Sequence, residues 1–189
     1  MLSPGAHPLL WCWRHPRAIG AQGRCIGQTD IAVDKRKARR LAHRIRAVAR
    51  EHALPREVWV SHLARSRDVG RVLASCGFVV HVDTRLAEVN FGAWDGLPWT
   101  QIAWSEVEAW QADLLHHAPG GGESLQALSL RVQAFVAEAE SAGLPRLVVT
   151  HGGWLNALAL LPRLLPPALA LPARDWPRAP RHGALAGGS

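Results

Sequence analysis

Four stretches of the chain place charged or titratable side chains directly after apolar runs. Arg14 and His15 follow residues 9–13, "LLWCW". Ser61, His62 and Arg65 follow "EVWV" at 57–60. Asp83, Arg85 and Glu88 follow "FVVHV" at 78–82, and Thr150 and His151 follow "RLVV" at 146–149. Brought together, two arginines, two histidines and a glutamate would make a phosphate site with a nucleophile and an acid. A guanidinium fork can grip two phosphoryl oxygens at once. An imidazole can attack, and a carboxyl group can give and take a proton. Singly, each has a plain structural reading. A strand-end His is usually solvated or satisfied, a lone Arg is a surface cation, Glu88 could cap a turn, and "HGG" could open a helix.

Convergence depends on the elements that carry these residues. Runs 9–13, 57–61, 78–82 and 146–150 read as strands. Segment 34–52 reads as a helix, with Ala38, Leu41, Ala42, Ile45, Val48 and Ala49 at i, i+3, i+4 spacing. Residues 65–76 suit a helix stopping near Gly77. Residues 99–116 and 123–142 suit two more, and another opens near Gly152 or Gly153. A long loop, 83–98, lies between. Strands separated by helices predict an α/β domain with a mostly parallel sheet. Ligands of such sheets bind beyond the carboxyl ends of the strands, so parallel strands would deliver all four sets to one rim. Residues 184–186 are read as an added edge strand.

The chain has 189 residues, 48% of them hydrophobic, which suits one domain over 1–189 with a Pro-rich, frayed or truncated tail at 162–189. The net charge is +7, and segment 34–52 alone holds eight Lys/Arg against two Asp/Glu. That helix could contact nucleic acid or an acidic membrane surface. No aromatic residue is interleaved with its charges, so a solvated face is the reading adopted, with neither nucleic acid nor membrane as partner. Cys12, Cys25 and Cys76 lack metal-type spacing, and their odd, sparse count predicts reduced thiols in a cytoplasmic protein. No metal or cofactor is expected. The N-terminus lacks the basic start of a signal peptide, and prolines 162, 166, 167 and 172 break the Leu/Ala-rich stretch 154–173 as a membrane span.

"WRHPRA", "GRCIGQTD", "SHLARSR", "LAEVNFGAWDG", "GGES" and "VVTHGG" occur in that order. The set resembles the histidine phosphatase superfamily over roughly residues 9–160, which implies the phosphoglycerate-mutase-like three-layer sandwich. The resemblance makes His15 the phosphate-accepting nucleophile and Glu88 the acid that protonates the leaving alkoxide. Arg14, Arg65 and His151 become donors to the phosphoryl oxygens. Gly122, Glu123 and Ser124 become candidate substrate contacts at the pocket mouth, with Arg24 a further candidate from its loop. His15 must be neutral to attack, and nearby Arg14 and Arg65 would disfavour imidazolium.

Three departures from the family pattern stand out. Pro16 replaces the glycine after the nucleophile, Ala18 and Ala21 stand where a Thr and an Asn are frequent, and "Ser-Pro-Leu" reads Ser61-His62-Leu63. Gly96 to Gly121 holds little beyond one helix and the tail is short, which implies an open pocket, hence hydrolysis of a small phosphorylated metabolite. Nine Trp include Trp94, Trp99, Trp104, Trp110 and Trp154. Most are expected in the core, while Trp99 and Trp110 could stack on a flat ring. The small chain resembles α-ribazole-5'-phosphate phosphatases of cobalamin biosynthesis. A broad-specificity sugar-phosphate phosphatase and a phosphoglycerate-mutase-type enzyme are the alternatives, with a catalytically silent phospholigand binder as the non-enzyme reading.

Overall fold

A computed structural model describes residues 9–165 and 170–186. Pro166, Pro167 and the last three residues of the tail, on which expectations were placed, lie outside them, as does the chain start. Four strands form one sheet: β1 (Leu10–Arg14), β2 (Glu57–Val60), β3 (Val79–Val82) and β4 (Arg146–Thr150). Their order is β1-β4-β2-β3 and every pairing is parallel. Five α-helices accompany them: α1 (Lys35–Glu51), α2 (Ala64–Ala74), α3 (Trp104–Ala112), α4 (Leu125–Ala142) and α5 (Gly152–Leu164).

Alternation along the strands builds two cores. Trp11, Trp13, Val58, Val60, Leu147 and Val149 face α1 and α2, meeting Leu41, Ile45, Val69 and Leu73. Leu10, Cys12 and Val148 face α4 and α5, meeting Leu128, Val132, Phe135 and Leu155. The sheet therefore lies between two helical layers, the expected three-layer architecture.

Local chemistry sets the helix ends. Asp34 caps α1, its Oδ1 accepting the amide of Arg36 at 2.7 Å. Gly143 ends α4 in the left-handed region at φ +64°. The helix expected over 99–116 is shorter: a 3₁₀ turn at Trp99–Gln101, then α3. Asp113 ends it by accepting the His116 amide at 3.2 Å, and the following turn buries Leu114 and Leu115. Residues 184–186 run antiparallel to β1, as a single bridge between Leu185 and Trp13 rather than a strand. The Ala186 amide reaches the Cys12 carbonyl at 2.7 Å and the Gly183 amide reaches Arg14 at 2.8 Å.

Among the described residues, no helix is long and apolar enough to cross a membrane, and no group of three His, Cys, Asp or Glu is placed to hold a metal ion.

Candidate active site

Strand register brings the site together. Arg14 lies opposite Thr150, and Val60 opposite Val149. The residues that follow, His15, His151 and Ser61, therefore leave the sheet side by side. The rings of His15 and His151 are 4.9 Å apart. A cavity of about 370 Å³ opens here, walled by Arg14, His15, Arg65 and Glu88 and by Ala18, Ala21, Arg24, Phe91, Trp99 and His182.

His15 is 5% exposed, and its Nδ1 lies 2.6 Å from the Pro16 carbonyl. A carbonyl only accepts, so Nδ1 carries the proton and Nε2 carries the lone pair. The residue that departs from the family pattern thus supplies the oxygen that sets this tautomer. Burial first, then the Arg65 charge, holds the His15 pKa well below 6.5, with His182 and Arg14 contributing less. The expected repulsion by the two arginines is present, but desolvation is the larger cause.

Arg65 is 1% exposed. It donates from Nη1 to the Thr29 carbonyl at 2.8 Å, from Nη2 to the Gly27 carbonyl, and from Nε to His151 Nδ1 at 3.2 Å. Three of its five N–H groups are spent on orientation and two remain for a ligand. The loop that orients it is folded around Asp95. That carboxylate accepts the amides of Gly27 and Thr29, each at 3.0 Å, the amide of Gln28, and the Thr29 hydroxyl at 2.6 Å.

His151 is fully buried. Because arginine always donates, Nδ1 of His151 accepts, and its Nε2–H donates to Ser61 Oγ at 2.7 Å. Both ring nitrogens are occupied within the protein, and the ring does not wall the cavity. The ring braces Arg65 from behind; the direct donation to phosphoryl oxygens that the resemblance implied would require one of these two bonds to be exchanged. Burial, then His15 and Arg65, keep it neutral by lowering its pKa well below 6.5.

Glu88 is 8% exposed and sits at the N-terminus of α5. Its Oε1 accepts the amides of Gly153 at 2.9 Å and Val89 at 3.1 Å. Burial nevertheless raises its pKa, against the opposing pull of those amides, Arg65 and Arg14. The two glycines of "HGG" are steric requirements. A Cβ on Gly153 would collide with Glu88 Oε1, and one on Gly152 would lie 2.8 Å from Ala179 Cβ and 3.1 Å from Arg14 Cζ. Arg14 itself donates from Nη1 to the Pro180 carbonyl at 2.8 Å, so the tail helps to aim it.

The "GGES" residues are not on the cavity wall. Gly122 lies too close to the Asn90 backbone to admit a Cβ. Glu123 accepts the Asn90 amide at 2.9 Å and pairs with Arg131 at 2.6 Å. Ser124 caps α4 through its Oγ, accepting from Ala127 at 3.2 Å. Their contacts here are within the protein, and Arg131 extends them: it donates to the carbonyls of Arg85 and Ala87, each at 2.7 Å, and Glu88 at 3.0 Å, clamping the loop that carries Glu88. Arg24 does line the cavity and holds the Gly96 carbonyl at 2.9 Å. Of the tryptophans, Trp99 lines the cavity, whereas Trp110 stacks edge-on with Phe91 and Trp94. Four contributors were not singled out as site residues from sequence: Ser61 as a partner of His151, Asp95, Arg131 and His182. "WDG" places Asp95 seven residues after Glu88, but nothing in the sequence links it to residues 27–29.

The family model of the histidine phosphatase superfamily (branch 1) matches residues 10–171. The Mycobacterium tuberculosis glucosyl-3-phosphoglycerate phosphatase is 31% identical over 181 residues, covering 80% of this chain and 75% of that protein. A probable phosphoglycerate mutase GpmB of Yersinia enterocolitica is 31% identical over 165 residues, covering 82% and 74%. The solved mycobacterial glucosyl-3-phosphoglycerate phosphatase in complex with VO3 superposes with a TM-score of 0.69 at 31% identity, covering 84% of this chain and 83% of that one. The α-ribazole phosphatase of Shigella flexneri superposes with a TM-score of 0.70 at 26% identity, covering 93% and 87%. The chain belongs to the histidine phosphatase superfamily, branch 1, and is a phosphatase.

Proposed function

We propose that the chain hydrolyses a small phosphomonoester through a phosphohistidine on His15. The observation that carries this reading is the lone pair of His15 Nε2, left free by the Nδ1–H to Pro16 bond in a cavity walled by Arg14, Arg65 and Glu88. Nε2 attacks phosphorus in line with the leaving oxygen while Arg14 and Arg65 take the charge on the non-bridging oxygens. Glu88 protonates the leaving alkoxide. As a carboxylate it then accepts a proton from the water that attacks phosphohistidine, releasing phosphate and regenerating His15. In water, a neutral His and a protonated Glu would seldom coexist; the opposite shifts of the two groups make them overlap. His151 and Ser61 act by positioning Arg65. Cys25, pushed up to about 12 by burial and by Asp95 and Glu88, is no rival nucleophile.

Hydrolysis is favoured over mutase transfer because α3 and short 3₁₀ turns are the helical structure between Glu88 and Gly122, leaving the cavity open to water. Among substrates, α-ribazole 5'-phosphate suits the aromatic wall of Phe91 and Trp99. Glucosyl-3-phosphoglycerate is a second reading, favoured by Arg17 and Arg24 on the same wall, which could meet its carboxylate. Hydrolysis of p-nitrophenyl phosphate in EDTA, its loss in His15→Ala, and a panel holding both metabolites test the proposal. Turnover surviving His15→Ala would reject it.

A further inference from the structure

The basic helix has no part in the site described above. One face of α1 walls a second cavity, of about 400 Å³, with Arg17, Lys37, Arg40, Arg44 and His182 around it. Lys37, Arg40 and Arg44 recur at i, i+3 and i+7, so a single helix face presents all three. Arg44 leans over the tail, where a Cβ on Gly183 would lie 3.5 Å from its Nη1.

No carboxylate walls this cavity. Among the described residues, Arg17, Lys37, Arg40 and Arg44 form no ion pair. By contrast, Arg85, Arg131, Arg146 and Arg163 are each matched to an Asp or Glu. Asp34 at the start of α1 acts on Lys37 from outside this cavity, but no acid lines the cavity itself. Cations gathered around one concavity repel each other, and a bound anion relieves that repulsion. The cavity adjoins the catalytic one: Arg17 and His182 line both. The His182 ring lies 5.4 Å from that of His15, and its Nδ1–H donates to the His15 carbonyl at 3.0 Å, so the junction is held at a fixed place beside the nucleophile.

Resting on the phosphatase reading, we infer that this second cavity is a subsite for a distal oxyanion of the substrate. The substrate class is then a phosphomonoester bearing a second negative group, a carboxylate or another phosphate. Its scissile phosphate lies at His15 and its far end over α1. Arg17 bridges the two ends, while Lys37, Arg40 and Arg44 hold the distal group.

The test compares ω-carboxyalkyl phosphates with alkyl phosphates of equal length. At one chain length the carboxylate should raise kcat/KM by about tenfold or more, mainly through KM. The gain should shrink as salt is raised. In Arg40→Gln/Arg44→Gln the ratio should fall to within twofold of one, with the alkyl phosphate rate reporting on the catalytic cavity. Equal rates at every length in the wild type, or a preference untouched by the double substitution, would overturn the subsite while leaving the phosphatase reading intact. Should no phosphomonoester be hydrolysed, the phosphatase reading fails. Calorimetric binding of 1,6-hexanediol bisphosphate then decides the subsite: about tenfold weaker binding to the variant supports it, and equal binding rejects it.

Discussion

Arg65 donates its Nε–H to Nδ1 of His151 across 3.2 Å, inside a part of the molecule closed to solvent. The pair explains how a guanidinium can be buried at the cavity wall. Its charge is met by the carbonyls of Gly27 and Thr29 and by an imidazole whose opposite nitrogen is tied to Ser61. Ser61→Ala leaves that Nε2–H without its acceptor, at a cost of about 1–3 kcal/mol. We expect kcat to fall by about tenfold and the affinity for vanadate to fall with it, and Ser61→Thr to restore part of both. Steady-state kinetics and vanadate inhibition check this; an unchanged vanadate affinity in Ser61→Ala would contradict the brace.

Asp95 acts on Arg65 without touching it. Its two oxygens gather three amides and a hydroxyl from residues 27–29, whose carbonyls aim the guanidinium. Asp95→Asn puts an amide NH2 against donors that a carboxylate accepted. The expected result is an inhibition constant for inorganic phosphate about tenfold weaker, with the fold retained by circular dichroism.

Gly153→Ala removes no functional group, yet its methyl group would collide with Glu88 Oε1 and lie 2.7 Å from Val89 Cγ2. Displacing Glu88 should cost about a hundredfold in kcat on alkyl phosphates, within the range set for general acid catalysis, and less on aryl phosphates. Equal losses on the two classes would place the damage elsewhere.

The pH profile follows from the two opposed shifts. His15 must be neutral, and its pKa lies well below 6.5, so the acid limb of kcat/KM should lie below that pH. Glu88 must be protonated, and burial raises its pKa above the ordinary 4.5, so activity on alkyl phosphates should decline as pH rises through the raised value. Glu88→Gln should abolish that alkaline limb and slow alkyl phosphates more than aryl phosphates, whose leaving groups need little protonation.

The strands, the parallel sheet and the rim residues Arg14, His15, Arg65 and Glu88 were legible because each lies at a fixed offset from an apolar run, and period-two burial makes such runs visible. The role of His151 was harder to read. Its placement follows from register, but whether its nitrogens face a ligand or the protein depends on Ser61, which is distant in sequence. "GGES" was ambiguous for a related reason: Glu123 and Ser124 look equally suited to substrate binding and to helix capping, and their partners Arg131, Asn90 and Ala127 appear only in the fold. His182 lay in a Pro-rich stretch with little periodicity. Its place depends on backbone bonds to β1 and on Asn156 Nδ2 holding the Pro177 carbonyl at 2.7 Å, neither of which has a local signature.

The most direct measurement is the position of the phosphoryl group in the trapped enzyme. Acid-quenched protein taken during turnover of a labelled phosphomonoester can be digested to locate the label, and ³¹P NMR of the phosphoenzyme distinguishes the two imidazole nitrogens. Because the Pro16 carbonyl holds Nδ1–H at 2.6 Å, the expected product is an acid-labile, base-stable phosphoryl group on Nε2 of His15. A phosphoryl group on Nδ1, or on any serine or cysteine, would contradict it.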